Sequence, residues 1–314
     1  MSVVLRTSAS SAESELRRGL ADVLDVPVAS LTIEERSAVD QGTVPKEIVT
    51  IRTGGTLRHA FCKHGVRPEA AEERGGTALE AAVYREVLSR ISLSTPGLLG
   101  AYRRRDGGTT LVLEAAPGAV RLSEASVEAM PAAAAWLGSF HRATEGYASN
   151  DLPLPEVGQQ TWRAHAERTL VFAERAGVAA PWLRQVCSSV ASADDLLSGP
   201  HCVVHGEFTV HNVVVVDSEI LPTDWECAAI GPGVLDLAQL VERWPLGVRK
   251  RCARSYCQAR WPEDVPAGFD RDLAVARAFV ALRWLAFRPD WVVKETKAWR
   301  LDELGAASVE AGLL

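Results

Sequence analysis

The forty residues from His201 to Leu240, HCVVHGEFTVHNVVVVDSEILPTDWECAAIGPGVLDLAQL, decide how this chain is read. The apolar run ending at Val204 predicts a buried strand. The polar stretch from His205 predicts a loop, and Val213 to Val216 and Ile220 to Thr223 predict two further strands joined by the turn Asp217-Ser218. In the loop, His205-Gly206-Glu207 is followed five positions after the glutamate by Asn212, and Asp224-Trp225-Glu226 ends the returning strand. A carboxylate, a carboxamide and a second carboxylate therefore converge. Turn chemistry accounts for Asp217 and Ser218 but not for two spaced polar groups beside buried strands.

On either side of this island the hydrophobic period differs. After Pro117 the pattern is helical, over Val127 to Thr144, Gln160 to Ala176, Ala180 to Leu197 and several segments from Leu235 onward, with most of the nine tryptophans placed to pack helix on helix. Before Pro117 it is mostly strand-like. A short amphipathic helix, Ala12 to Leu24, precedes strands at Ala29 to Arg36, Lys46 to Thr53 and Thr56 to Lys63, with a polar loop around Ser37 to Thr43. Gly54-Gly55 supplies the positive φ angles that a two-residue hairpin needs. Two more strands follow at Gly97 to Tyr102 and Thr109 to Glu114.

Between the two groups of strands lies a helix, Thr77 to Ile91, on which Leu79, Val83, Val87 and Ile91 repeat at i, i+4. On a helical wheel Glu80 falls inside that apolar stripe, and a carboxylate facing a core needs a cation. The rival reading of Glu80 is a capping box with Thr77. The fold class is α+β, a strand-rich first part and a helical second part.

Composition narrows the function. The net charge is −6 and the isoelectric point about 5.7, which gives no basic field for nucleic acid or an anionic membrane. No apolar window reaches membrane-spanning length and the first residues lack a signal-peptide core, so a cytoplasmic location is expected. The six cysteines show no zinc-ligand spacing and are read as reduced and mostly buried. Five lysines stand against twenty-nine arginines, which makes Lys63, at the end of a strand, worth weighing as more than a solubilising charge.

The set Glu207, Asn212 and Asp224 matches what phosphoryl transfer from a nucleotide requires: oxygen ligands for magnesium and a carboxylate for the attacking hydroxyl. From Val203 to Leu240 the chain resembles the aminoglycoside phosphotransferase and choline kinase family of protein-kinase-like enzymes, whose loop reads H-G-D-x-x-x-x-N and whose metal segment reads I-D-W-E. GPGVLDLAQL is similar to that family's G-x-x-x-x-D-L-A segment, with Asp236 structural. The resemblance implies a two-lobed protein-kinase-like fold, with a small antiparallel-sheet N-terminal lobe over residues 1–115 and a larger helical C-terminal lobe over 116–314.

It further implies transfer of the γ-phosphate of ATP or GTP, with Mg2+, to a hydroxyl of a small polar metabolite or antibiotic. Glu207 would handle the hydroxyl, Asn212 and Asp224 the metal, and Lys63, paired with Glu80, the phosphates. Ser37 and Thr43 would grip phosphate and the backbone at Glu114 would read the purine; His205 would brace the loop. Two departures stand out. Glu207 replaces the family's aspartate, adding a methylene and roughly 1.5 Å of reach, and the loop Ser37 to Thr43 carries a single glycine, Gly42. The second reading is therefore a pseudokinase or scaffold that binds nucleotide or a protein partner without phosphate transfer.

Overall fold

The computed structural model describes residues 3–39, 44–65, 75–147, 152–189 and 200–314, with residues 3–10 described in their backbone alone. The chain forms two compact units. Met1–Val120 and Val216–Cys227 make the first, and Arg121–Val215 and Ala228–Leu314 the second.

The first unit begins with helix α1, Val3–Val23, which starts well before the expected Ala12. Strands β1 (Leu31–Ala38), β2 (Lys46–Thr53), β3 (Thr56–His64), β4 (Leu98–Arg103) and β5 (Thr109–Glu114) form one antiparallel sheet in the order β1-β2-β3-β5-β4. On β2, Glu47, Val49 and Ile51 are buried in alternation, as a strand with one covered face requires. Val49 and Ile51 join Leu16, Leu20 and Ala21 of α1 and Ala60, Cys62 and Val112 in one apolar cluster. Each fully buried aliphatic side chain contributes about 1.5–3 kcal/mol, so this layer of helix on sheet fixes the strands that carry Lys63. Gly54 and Gly55 take φ of +53° and +85° and close the β2–β3 hairpin on the pair Thr53 and Thr56.

Helix α2, Gly76–Glu86, is shorter than expected: Val87 turns into a 3-10 segment, Leu88–Arg90, and Ile91 is extended. The β-branched pair Val87 and Ile91 adds little helix propensity there. The unit is completed by the short strand β6, Val120–Arg121, at its boundary, and by segment 216–227.

In the second unit β7 (Cys202–Val204) is a fully buried strand, as its unbroken apolar run predicts. β8 (Val213–Val216) leads into the Asp217-Ser218 turn and β9 (Glu219–Pro222), which belong to the first unit's segment 216–227, while β10 (Ala229–Gly231), which the sequence reading did not assign, pairs antiparallel with β7. Around them stand α3 (Ala129–Ala143), α4 (Gln159–Arg175), α5 (Pro181–Ser188), α6 (Val234–Leu240), α7 (Leu246–Arg260), α8 (Phe269–Phe287) and α9 (Trp299–Glu310). Helix α8 is buried on nearly every face and packs against α4, α6 and α9. Helices α3 and α7 approach closely because Gly138 has no side chain: a Cβ there would sit 2.4 Å from the Tyr256 carbonyl oxygen. Among the described residues no helix is long and apolar enough to cross a membrane.

Candidate active site

In the first unit, Lys63 points into a buried group of carboxylates. Its Nζ lies 2.6 Å from Glu80 Oε2 and 3.4 Å from Glu226 Oε2, and it also contacts Asp224 Oδ1. Only 2% of Lys63 and 1% of Glu80 is exposed. The second oxygen of Glu80 accepts the backbone N–H groups of Asp224 and Trp225 at 3.1 and 3.2 Å. One carboxylate on α2 thus ties β3 to the segment after β9. The capping-box reading does not describe this position, because the helix N-cap is Gly75 and Thr77 already lies within the helix. Trp225 is fully buried, and its indole N–H donates to Pro222 O at 3.3 Å, which holds the segment in place.

The electrostatics follow from this crowding. Burial alone pulls the Lys63 ammonium down, but Glu80, Asp224 and Glu226 outweigh it and leave its pKa above the usual lysine value. Asp224 adopts φ of +71°, a left-handed conformation that non-glycine residues seldom take and that marks many functional turns. Carboxylate oxygens of Glu80, Asp224 and Glu226 all lie within 4.8 Å of one another, an oxygen-rich donor set of the kind a hard divalent cation takes.

Sequence reading did not single out two members of this group. Glu226 stands two residues after Asp224. Lys46 is the register partner of Lys63 on β2, with Nζ 3.9 Å from Asp224 Oδ2. The signal for Lys46 was available only in the hairpin register, since Lys46 and Lys63 are far apart in sequence.

In the second unit the loop after β7 is built around Asp236, which is fully buried at the start of α6. Its carboxylate accepts the N–H of His205 at 2.6 Å and of Gly206 at 2.9 Å, and it lies 3.3 Å from His141 Nε2. Burial depresses the His141 pKa, with Asp236 opposing, so the ring is neutral near pH 7 and donates Nε2–H to Asp236. Its Nδ1 then accepts the Tyr256 hydroxyl at 3.0 Å, and that oxygen accepts from Arg260 at 2.5 Å. Gly206, at φ +82°, turns the chain sharply. His205 is completely buried, accepts the Glu207 N–H on Nδ1 at 3.2 Å and meets the Phe208 ring edge-on, the bracing role expected of it.

Beyond the turn, Asn212 Nδ2 donates to the Glu207 carbonyl at 3.0 Å, which orients the amide. Carboxamide and carboxylate oxygens are the ligands magnesium prefers, so the residues fit that ion. Asp236→Ala would strip the acceptor from two buried N–H groups, at about 1–3 kcal/mol of stability for each. An unchanged urea midpoint would show that the loop does not depend on Asp236.

Of the remaining expected residues, Ser37 is placed differently. Ser37 lies on β1 opposite Ile48, with its hydroxyl directed at Glu35, and not in the loop. The strand is as long as expected but shifted by two residues, because Arg36 grips Glu47 through two hydrogen bonds, 2.7 and 2.9 Å, and keeps β1 paired with β2 as far as Ala38. Thr43 lies outside the described residues. Glu114 ends β5, and its N–H is committed to Gly97 O at 2.8 Å.

The fold has counterparts among solved proteins. An aminoglycoside 2'-phosphotransferase-IIIa in complex with GDP is 12% identical with a TM-score of 0.63, covering 90% of this chain and 94% of its own. A choline/ethanolamine kinase family protein from Mesorhizobium loti is 16% identical, TM-score 0.55, covering 92% of each chain. An amicoumacin kinase in complex with AMP-PNP, Ca2+ and Ami is 12% identical, TM-score 0.59, covering 89% of each. At these identities the likeness establishes the α+β protein-kinase-like fold. No curated protein sequence matches the chain. Residues 50–303, most of the chain, match the sequence profile of the phosphotransferase enzyme family, and the chain belongs to that family.

Proposed function

We propose that this protein transfers the γ-phosphoryl group of ATP or GTP to a hydroxyl of a small polar molecule, an antibiotic or a metabolite. The buried ion pair of Lys63 and Glu80, closed onto Asp224, carries this reading. A lysine this deeply buried and clasped by carboxylates is held in one place, so its charge is aimed before any ligand arrives. In the proposed step an acceptor hydroxyl oxygen bonds to the γ-phosphorus, the bond from that phosphorus to the β–γ bridging oxygen breaks, and the hydroxyl proton passes to the Glu207 carboxylate. The nucleoside diphosphate leaves with the bridging oxygen.

Lys63, oriented by Glu80, holds the phosphates, while Asp224 and Asn212 hold Mg2+. The ion, when bound, supplies charge neutralisation at the phosphate oxygens. The names of the solved neighbours, an aminoglycoside phosphotransferase, an amicoumacin kinase and a choline/ethanolamine kinase family protein, support a small polar acceptor. GDP in one and AMP-PNP in another leave the purine of this chain's nucleotide to experiment.

The reading is tested by nucleotide-dependent melting. ATP or GTP with magnesium is expected to raise the melting temperature of the wild type. Lys63→Ala should remove most of that rise. Glu80→Gln should remove less, because the lysine remains but is poorly aimed. Rises equal to wild type in both variants would take the pair out of nucleotide binding.

A further inference from the structure

Glu207 stands where the family resemblance implies an aspartate, and the second unit places a cation beside it. Arg283, on α8, lies with one guanidinium nitrogen 3.7 Å from Glu207 Oε1, while another donates to the Gly206 carbonyl oxygen. That carbonyl also accepts from Gln239 Nε2 at 2.9 Å, so the loop backbone beneath the guanidinium is fixed from α6 as well. The arginine comes from a helix otherwise packed into the core, and the Glu207 side chain is only 12% exposed.

A guanidinium is a rigid planar fork. With one arm on the main chain of residue 206, the other has little freedom, and it faces the carboxylate of residue 207. A glutamate has one more rotatable bond than an aspartate, and each added rotamer spreads the carboxylate over positions from which it cannot reach the acceptor hydroxyl. We infer that Arg283 is the positioning residue that adapts this site to glutamate, holding the longer side chain in the arrangement an aspartate reaches unaided. The inference rests on the phosphotransferase reading above and adds to it a residue outside the family's loop motifs.

The test measures hydrolysis of ATP or GTP, with water as acceptor and magnesium saturating, in wild type, Arg283→Ala, Arg283→Lys, Glu207→Asp and the Glu207→Asp/Arg283→Ala double variant. Arg283→Ala is expected to lower kcat about 10- to 100-fold with the nucleotide KM within about twofold, because the binding machinery is untouched. Arg283→Lys should recover part of the loss, since a point charge can serve the carbonyl or the carboxylate but not both in the same geometry. In the Glu207→Asp background the same alanine substitution should cost less than about threefold, the two residues being coupled.

A merely structural arginine would give equal losses in both backgrounds, and that result, or an unchanged kcat in Arg283→Ala, overturns the inference while leaving the phosphotransferase reading intact. A wild type with neither turnover nor a nucleotide-dependent melting shift overturns that reading, and the inference with it.

Discussion

Asp224→Ala is expected to abolish the magnesium-dependent part of the nucleotide melting shift and to leave no measurable turnover. The expectation has a stated size. A ligand at a hundred times its dissociation constant stabilises the native state by about 2.7 kcal/mol, and that whole increment should vanish if the metal anchor is gone. Asp224 is suited to the role by position: it sits in a left-handed turn fixed by two N–H bonds to Glu80, with its carboxylate against Lys63. Truncation also takes a carboxylate from Lys63, so Asp224→Asn, which keeps the shape, is the companion variant. It should retain the fold and a metal-independent residue of nucleotide binding. A full magnesium-dependent shift in both variants would remove Asp224 from the site.

Glu207→Ala is expected to lower turnover by about 10²- to 10⁴-fold, the range for loss of a general base, with nucleotide affinity barely changed. The affinity should survive because Lys63, Glu80 and Asp224 lie together in the other unit of the chain. Glu207→Asp is the more informative change. In an enzyme adapted to glutamate through Arg283, shortening the side chain withdraws the carboxylate by one methylene and turnover falls; in a scaffold whose only defect is the longer side chain, turnover rises. Turnover in Glu207→Ala equal to wild type would exclude Glu207 as base and leave phosphate positioning to carry the reaction.

Much of this was legible in the amino-acid sequence, for identifiable reasons. The strand and loop pattern of His201 to Leu240 reads clearly because its strands are short apolar runs bounded by turn residues, and because Glu207 to Asn212 keeps a spacing that loop geometry imposes. Glu80 was legible as a residue in need of a cation because helical periodicity placed it on a buried face, and the structure supplies Lys63 there. Less could be read where long-range pairing decides. The extent of β1 past Ser37 is set by the Arg36–Glu47 ion pair across two strands, which no local pattern encodes. Lys46 and Arg283 were invisible for the same reason: one reaches Asp224 through hairpin register, the other reaches Glu207 from a helix more than seventy residues further along the chain.

The central claim is that this chain moves a phosphoryl group, and label transfer tests it most directly. Wild type and Asp224→Ala would be incubated with magnesium and nucleoside triphosphate labelled at the γ-phosphorus, together with a panel of hydroxylated small molecules that includes aminoglycosides and amino alcohols. The account predicts magnesium-dependent appearance of label on a panel member, or as inorganic phosphate where water is the acceptor, and its loss in the variant. A wild type that binds nucleotide with magnesium, by its melting shift, yet leaves all the label on the triphosphate would contradict it and establish a nucleotide-binding scaffold instead.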